Sequence, residues 1–134
     1  MPAKVLVVDD SFMMRILMRK IVEKGGYEVV GEAENGQVAL DLVKEKKPDV
    51  VLLDIEMPVM DGVEFMKRNR LISRAKVIVV SSVTQLGSPQ TRKLLSLGAV
   101  EIIEKPSGAM SLDLDTVKGS AICRAIKKAS IRVR

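Results

Sequence analysis

Six side chains in this sequence could do chemistry together: Asp9 and Asp10, Asp54, Ser81 with Ser82 beside it, and Lys105. Taken singly, each is ordinary, because Asp and Ser after a strand commonly cap the helix that follows. Taken together, they are two adjacent acids, a third acid, a pair of hydroxyls and a Lys-Pro. Carboxylates held close raise one another's pKa, and burial adds to the cost, so something positive must neutralise them. A divalent cation meets that need. Mg²⁺ prefers oxygen ligands in octahedral geometry and keeps several waters. It therefore commonly takes one or two carboxylates and leaves room for a phosphoryl oxygen. Lys105 supplies a second positive group. The chain has no histidine, and Cys123 lies far from these positions in sequence, which argues against a soft-metal site.

These residues can act as a group only if the fold brings them together, and the flanking sequence predicts that it does. Short β-branched runs alternate with longer amphipathic stretches, the pattern of a parallel sheet wrapped by helices. Five strands are expected, at Lys4 to Val8, Tyr27 to Gly31, Val50 to Leu53, Val77 to Val80 and Val100 to Ile103. Their near-continuous Val, Ile and Leu content implies burial on both faces. Asp9 and Asp10 follow the first strand, Asp54 the third, Ser81 and Ser82 the fourth, and Lys105 with Pro106 the fifth. Right-handed crossovers then give a single doubly wound α/β domain, whose ligand site lies beyond the C-terminal ends of the strands.

The helices are marked by their own signals. Met13, Ile16, Leu17 and Ile21 form a first stripe closed by Gly25 and Gly26; Asn35 caps a second, carrying Val38, Ala39, Leu42 and Val43, that Pro48 stops. A third helix follows "MPVMDG" with Val63 and Met66. A fourth has Ser88 as cap, Pro89 at its first position and Gly98 just past its end. The last is expected within Val117 to Ile131, after a loop from Pro106 with Asp115 or Thr116 as cap. Met13 and Met57 read as core-filling residues.

At 134 residues one domain, spanning 1–134, is the expected organisation. Apolar residues make up 47% and aromatics only 2%, so the core is built from aliphatic side chains. One cysteine forms no internal disulfide, and no apolar run reaches the roughly 20 residues that cross a bilayer. The N-terminus does not read as a signal peptide, and a cytoplasmic location is expected. The formal charge of +5 owes much to Lys118, Arg124, Lys127, Lys128, Arg132 and Arg134, which read as a solvated helix face and tail rather than a nucleic-acid surface.

The runs "VLVVDDS", "LLDIEMPVMDG", "VVSS" and "KP", in that order and spacing, resemble the receiver domain of two-component response regulators over almost the entire chain. The resemblance implies a flavodoxin-like (βα)5 fold with a five-stranded parallel sheet of order 2-1-3-4-5. It makes Asp54 the nucleophile that accepts a phosphoryl group from a phosphohistidine of a histidine kinase. It implies Mg²⁺ held directly by Asp10 and Asp54, by Asp9 directly or through water, and by the backbone carbonyl of Glu56. Ser81 matches the hydroxyl that binds a phosphoryl oxygen, Ser82 the small neighbour that leaves room for it, and Lys105 the ion-pairing lysine. Pro106 is expected to follow a cis peptide that aims Lys105 inward. These roles suit phosphoryl transfer, which depends on an in-line nucleophile and on neutralising charge on the equatorial oxygens.

A finer resemblance runs through "VVSSVTQLGSPQTRKLLSLGA" and "KPSG", which are similar to the receiver of the chemotaxis methylesterase family, CheB. Ester hydrolysis there needs a Ser-His-Asp triad on a separate domain, and this sequence has neither a histidine nor a G-x-S-x-G elbow. Self-phosphorylation and autodephosphorylation are therefore its own expected chemistry. It is read as the regulatory domain of such an esterase, or as a free-standing receiver acting by protein binding. A Mg²⁺-dependent aspartyl phosphatase or phosphotransferase fits less well, because those enzymes carry the nucleophile after the first strand, two residues before a second Asp. In many receivers Tyr or Phe stands three residues before the lysine and moves with the strand-four hydroxyl. Here that switch position, partnered with Ser81, is Ile102. The output domain or target is expected at the face of the fourth helix, fifth strand and fifth helix, with no nucleic acid and no membrane insertion.

Overall fold

A computed structural model describes residues 2–55, 57, 59–82, 87–105 and 117–133, the side chains of 117–120 and 131–133 excepted. The strands are β1 (Lys4–Val8), β2 (Glu28–Ala33), β3 (Val50–Asp54), β4 (Lys76–Ser81) and β5 (Glu101–Glu104). The helices are α1 (Phe12–Lys24), α2 (Gly36–Lys46), α3 (Gly62–Ile72), α4 (Pro89–Ser96) and α5 (Val117–Val133). All strand pairs are parallel, and the sheet order is β2-β1-β3-β4-β5. The strand order reverses between β1 and β3, which puts the mouth of the fold where Asp9, Asp10 and Asp54 leave the sheet.

Alternation along the strands builds two cores. Val5 and Val7 of β1 face a layer formed with Leu17, Met18, Ile122 and Ile126 of α1 and α5. Leu6 and Val8 face the other side, against Leu40, Phe65 and Leu94 of α2, α3 and α4. Both faces of the central strands are therefore dry, as their unbroken aliphatic runs predict. Every residue of β3 is buried, including the terminal Asp54.

The helix boundaries follow from local chemistry. Ser11, Asn35, Asp61 and Ser88 each cap a helix by accepting a backbone N–H three residues on. At the end of α1, Gly26 (φ +90°) donates to the Glu23 carbonyl and Tyr27 to that of Val22; at the end of α4, Gly98 (φ +112°) and Ala99 repeat the pattern on Leu95 and Leu94. These are Schellman closures, in which a left-handed residue lets two orphan carbonyls find donors.

Several expectations shift: β3 runs on to include Asp54, β4 spans Lys76–Ser81 and so includes Ser81, and β5 spans Glu101–Glu104, one residue later than the aliphatic run suggested. β2 begins one residue later and runs two residues further than the Gly31 boundary suggested, because it pairs with all of β1 through an irregularity between Val5 and Leu6. Met13 is not a core residue: it is 63% exposed, since α1 turns Leu17, Met18, Ile21 and Val22 inward instead. Met57 does pack against the second core.

Gly36 ties α2 to the loop that follows Asp54. Its N–H donates to the Met60 carbonyl at 3.2 Å, and a Cβ there would stand 2.6 Å from that same oxygen. Backbone cannot yield cheaply at that distance. Gly36→Ala is expected to lose about 1–3 kcal/mol of stability, read as a lower urea midpoint. An unchanged midpoint would show that the contact is not tight.

Candidate functional site

The sequence around Asp9 folds as it does because β1 ends where a helix must start. The Asp9 N–H donates to Ala33 of β2 at 3.0 Å, and its Oδ1 accepts the Ser11 N–H at 2.8 Å. Ser11 then caps α1 through Met14. This leaves Asp9 fully buried and Asp10 exposed at the mouth. β3 delivers Asp54 beside them, 5% exposed. One carboxylate oxygen from each of Asp9, Asp10 and Asp54 lies within 4.8 Å of the others.

β5 brings the countercharge. The Lys105 N–H donates to the Ser81 carbonyl at 2.6 Å, which extends the β4–β5 pairing and turns the lysine toward the acids. Its Nζ stands 3.1 Å from Asp9 Oδ2 and 3.2 Å from Asp54 Oδ1. Burial alone would lower the Lys105 ammonium, but the Asp9 and Asp54 charges outweigh it and hold its pKa above the ordinary value. Burial first and the Asp9 charge second push Asp54 up to about 6, against the opposing effect of Lys105. Asp9 is also raised by burial, against the Ser11 N–H and Lys105.

One cation is thus shared between two carboxylates, Asp9 and Asp54, with the third, Asp10, beside them. Lys105 neighbours Asp9 Oδ2 by charge, yet no hydrogen bond of good angle reaches that buried oxygen. Carboxylate oxygens alone, one of them buried and unsatisfied, fit a hard divalent cation.

The other sequence-identified residues fall as follows. Ser81 is the buried last residue of β4, and its hydroxyl donates to the Ser82 carbonyl at 3.0 Å. Ser82 is exposed beside it. Ile102 lies on β5 opposite Val79 and packs, half-buried, on the second core. Glu56, Pro106, Asp115 and Thr116 lie outside the described residues.

Sequence reasoning passed over Arg15. Its guanidinium donates to the Asp9 carbonyl at 2.7 Å and pairs with Glu32 of β2 at 3.2 Å. A charged position on an amphipathic helix reads as a solvated face, and no short-range signal links it to a strand residue 17 positions away.

A doubly wound sheet with an acid cluster and one lysine at its switch point defines a receiver-type regulatory domain. The chain belongs to the response regulator receiver domain family, whose model matches residues 5–114. It is 48% identical over 120 residues to the protein-glutamate methylesterase/protein-glutamine glutaminase 1 of Syntrophomonas wolfei, a match that takes in 89% of this chain and 34% of that protein. The chain thus spans about a third of the length of that curated relative. The crystal structure of the response regulator domain of Thermotoga maritima CheB superposes with a TM-score of 0.86 at 38% identity, covering 97% of each chain. A structure of the P1 domain of CheA3 in complex with CheY6 from R. sphaeroides matches with a TM-score of 0.75 at 41% identity, covering 96% of each chain. The chain is therefore similar to CheB regulatory domains. No helix among the described residues is long and apolar enough to cross a membrane.

Proposed function

We propose that this domain is the phosphoacceptor module of a cytoplasmic chemotaxis protein of the CheB type, with Asp54 as the residue that receives the phosphoryl group. The observation that carries this reading is the buried Asp54 carboxylate, 3.2 Å from Lys105 and beside Asp9 and Asp10 at the switch point of the sheet. The donor is a phosphohistidine on a histidine kinase. The similarity to a CheY protein captured with a CheA P1 domain supports that partner.

An Asp54 oxygen attacks the phosphorus, the phosphorus–nitrogen bond breaks, and the imidazole leaves to take a proton from solvent. A carboxylate is a competent nucleophile without a base, and the acyl phosphate it forms is labile enough to serve as a transient signal. Asp10 and Asp54 would hold Mg²⁺, with Asp9 assisting directly or through water, and the bound cation would neutralise charge on the phosphoryl oxygens. The backbone carbonyl of Glu56, a residue outside the described ones, would complete the ligand set that the family resemblance implies. Lys105 pairs with Asp54 before transfer and with a phosphoryl oxygen after it. The Ser81 hydroxyl exchanges its Ser82 acceptor for another phosphoryl oxygen. That exchange gives β4 two states, and the α4–β5–α5 face, to whose strand Ile102 belongs, passes the difference to an output domain or target protein.

Incubation with Mg²⁺ and a small phosphodonor, followed by intact-mass measurement, tests the reading. Wild type should gain one phosphate and Asp54→Asn none; wild type without an adduct under a small donor and a cognate kinase alike would sink it.

A further inference from the structure

We propose that Arg15 is a positioning residue that orients the Asp10 carboxylate for cation binding, through a brace formed with Glu32. This rests on the metal-binding role of the acid cluster argued above. Of the three acids, Asp9 and Asp54 are buried and face Lys105, whereas Asp10 is exposed and has no hydrogen-bond or ion-pair partner among the described residues. Its direction must come from the backbone that carries it.

The peptide unit joining Asp9 to Asp10 presents the Asp9 carbonyl, and that oxygen accepts from Arg15 Nη1 at 2.7 Å. Rotation of this plane swings the Asp10 Cα and with it the carboxylate. Arg15 is well placed to stop the rotation. Its side chain is only 14% exposed, its Nε is fixed at 3.2 Å from Glu32 Oε1, and the Phe12 ring lies 5.7 Å below the guanidinium carbon. The second Glu32 oxygen is held by Arg19 at 2.7 Å. The brace therefore ties the exit of β1 to α1 and to β2. A planar guanidinium can make the carbonyl and carboxylate bonds at once in fixed directions, which a lysine cannot.

Charge and geometry predict opposite signs. A nearby positive group disfavours a second cation, so removing Arg15 by charge alone would tighten Mg²⁺ binding. Loss of the brace weakens it instead, as removal of residues that orient metal ligands generally does.

Calorimetric titration of Mg²⁺ alone into wild type, Arg15→Gln, Arg15→Lys, Glu32→Gln and Arg19→Gln, with thermal unfolding of each in EDTA, tests this. Arg15→Gln should bind Mg²⁺ roughly tenfold more weakly, Arg15→Lys should not restore affinity, and Glu32→Gln should fall between. Arg19→Gln, which loses a comparable charge and a Glu32 contact but does not touch Asp9, should stay close to wild type. Phosphorylation of Arg15→Gln should need more Mg²⁺ for half-maximal rate and reach the wild-type rate at saturation. Equal or tighter Mg²⁺ binding by Arg15→Gln, with or without a loss of stability in EDTA, would overturn the proposal. If that variant does not fold, unchanged affinity in Glu32→Gln overturns it. A wild type that binds no Mg²⁺ overturns the function proposed for the cluster, and this role with it.

Discussion

Lys105→Met is expected to cost about 3–5 kcal/mol of unfolding free energy in EDTA at pH 8, because it leaves a buried carboxylate without its countercharge. Asp9 is fully buried and its Oδ2 has no other neighbour of positive charge among the described residues. Methionine keeps most of the lysine's volume, so little of the loss comes from packing. The loss should shrink on acidification, since protons then do what the ammonium did. Mg²⁺ should return much of it by supplying the missing charge. Urea unfolding at pH 5 and pH 8, with and without Mg²⁺, reads all three effects. A loss independent of both pH and metal would mean that Lys105 acts by packing rather than by charge.

Asp54→Asn should do the reverse and stabilise the metal-free protein. The Asp54 carboxyl is raised from 3.8 to about 6 by burial first and by the Asp9 charge second. The folded state therefore holds a proton that the unfolded chain has already released, and stability falls as pH rises from about 4 to about 6. That gap corresponds to at most about 3 kcal/mol, shared with the coupled acids around it. Asparagine fills the same space without the charge. The variant should thus exceed wild type by about 2–3 kcal/mol at pH 8 in EDTA and converge with it near pH 3.5. A variant less stable than wild type at pH 8 would mean that the Lys105 pair outweighs the repulsion. The charge arrangement that makes Asp54 ready for a cation and a phosphoryl group is, on this account, a strain on the empty fold.

Much of this architecture is legible in the residues themselves. The five strands are written in aliphatic runs, and the sheet order follows from recognising the pattern of acids, serine and lysine at their ends. Asn35, Ser88 and Gly98 announce their helix boundaries because capping is local chemistry. What the sequence conceals is set by tertiary direction. Asp9 and Asp10 are neighbours of the same type, yet one is fully buried against Lys105 and the other faces solvent; only the turn of the chain at Ser11 decides which. The phase of α1 likewise puts Met13 outside and Met18 inside. The brace of Arg15 and Glu32 joins two elements that a linear reading treats as separate surfaces.

The identity of the phosphoacceptor can be read directly. Phosphorylated protein is reduced with borohydride, which converts an aspartyl phosphate to homoserine, and the peptides are then sequenced by mass spectrometry. Homoserine at position 54 alone, dependent on Mg²⁺, is the predicted result. Homoserine at Asp9 or Asp10, or at no position in protein exposed to phosphodonor and kinase, would contradict it.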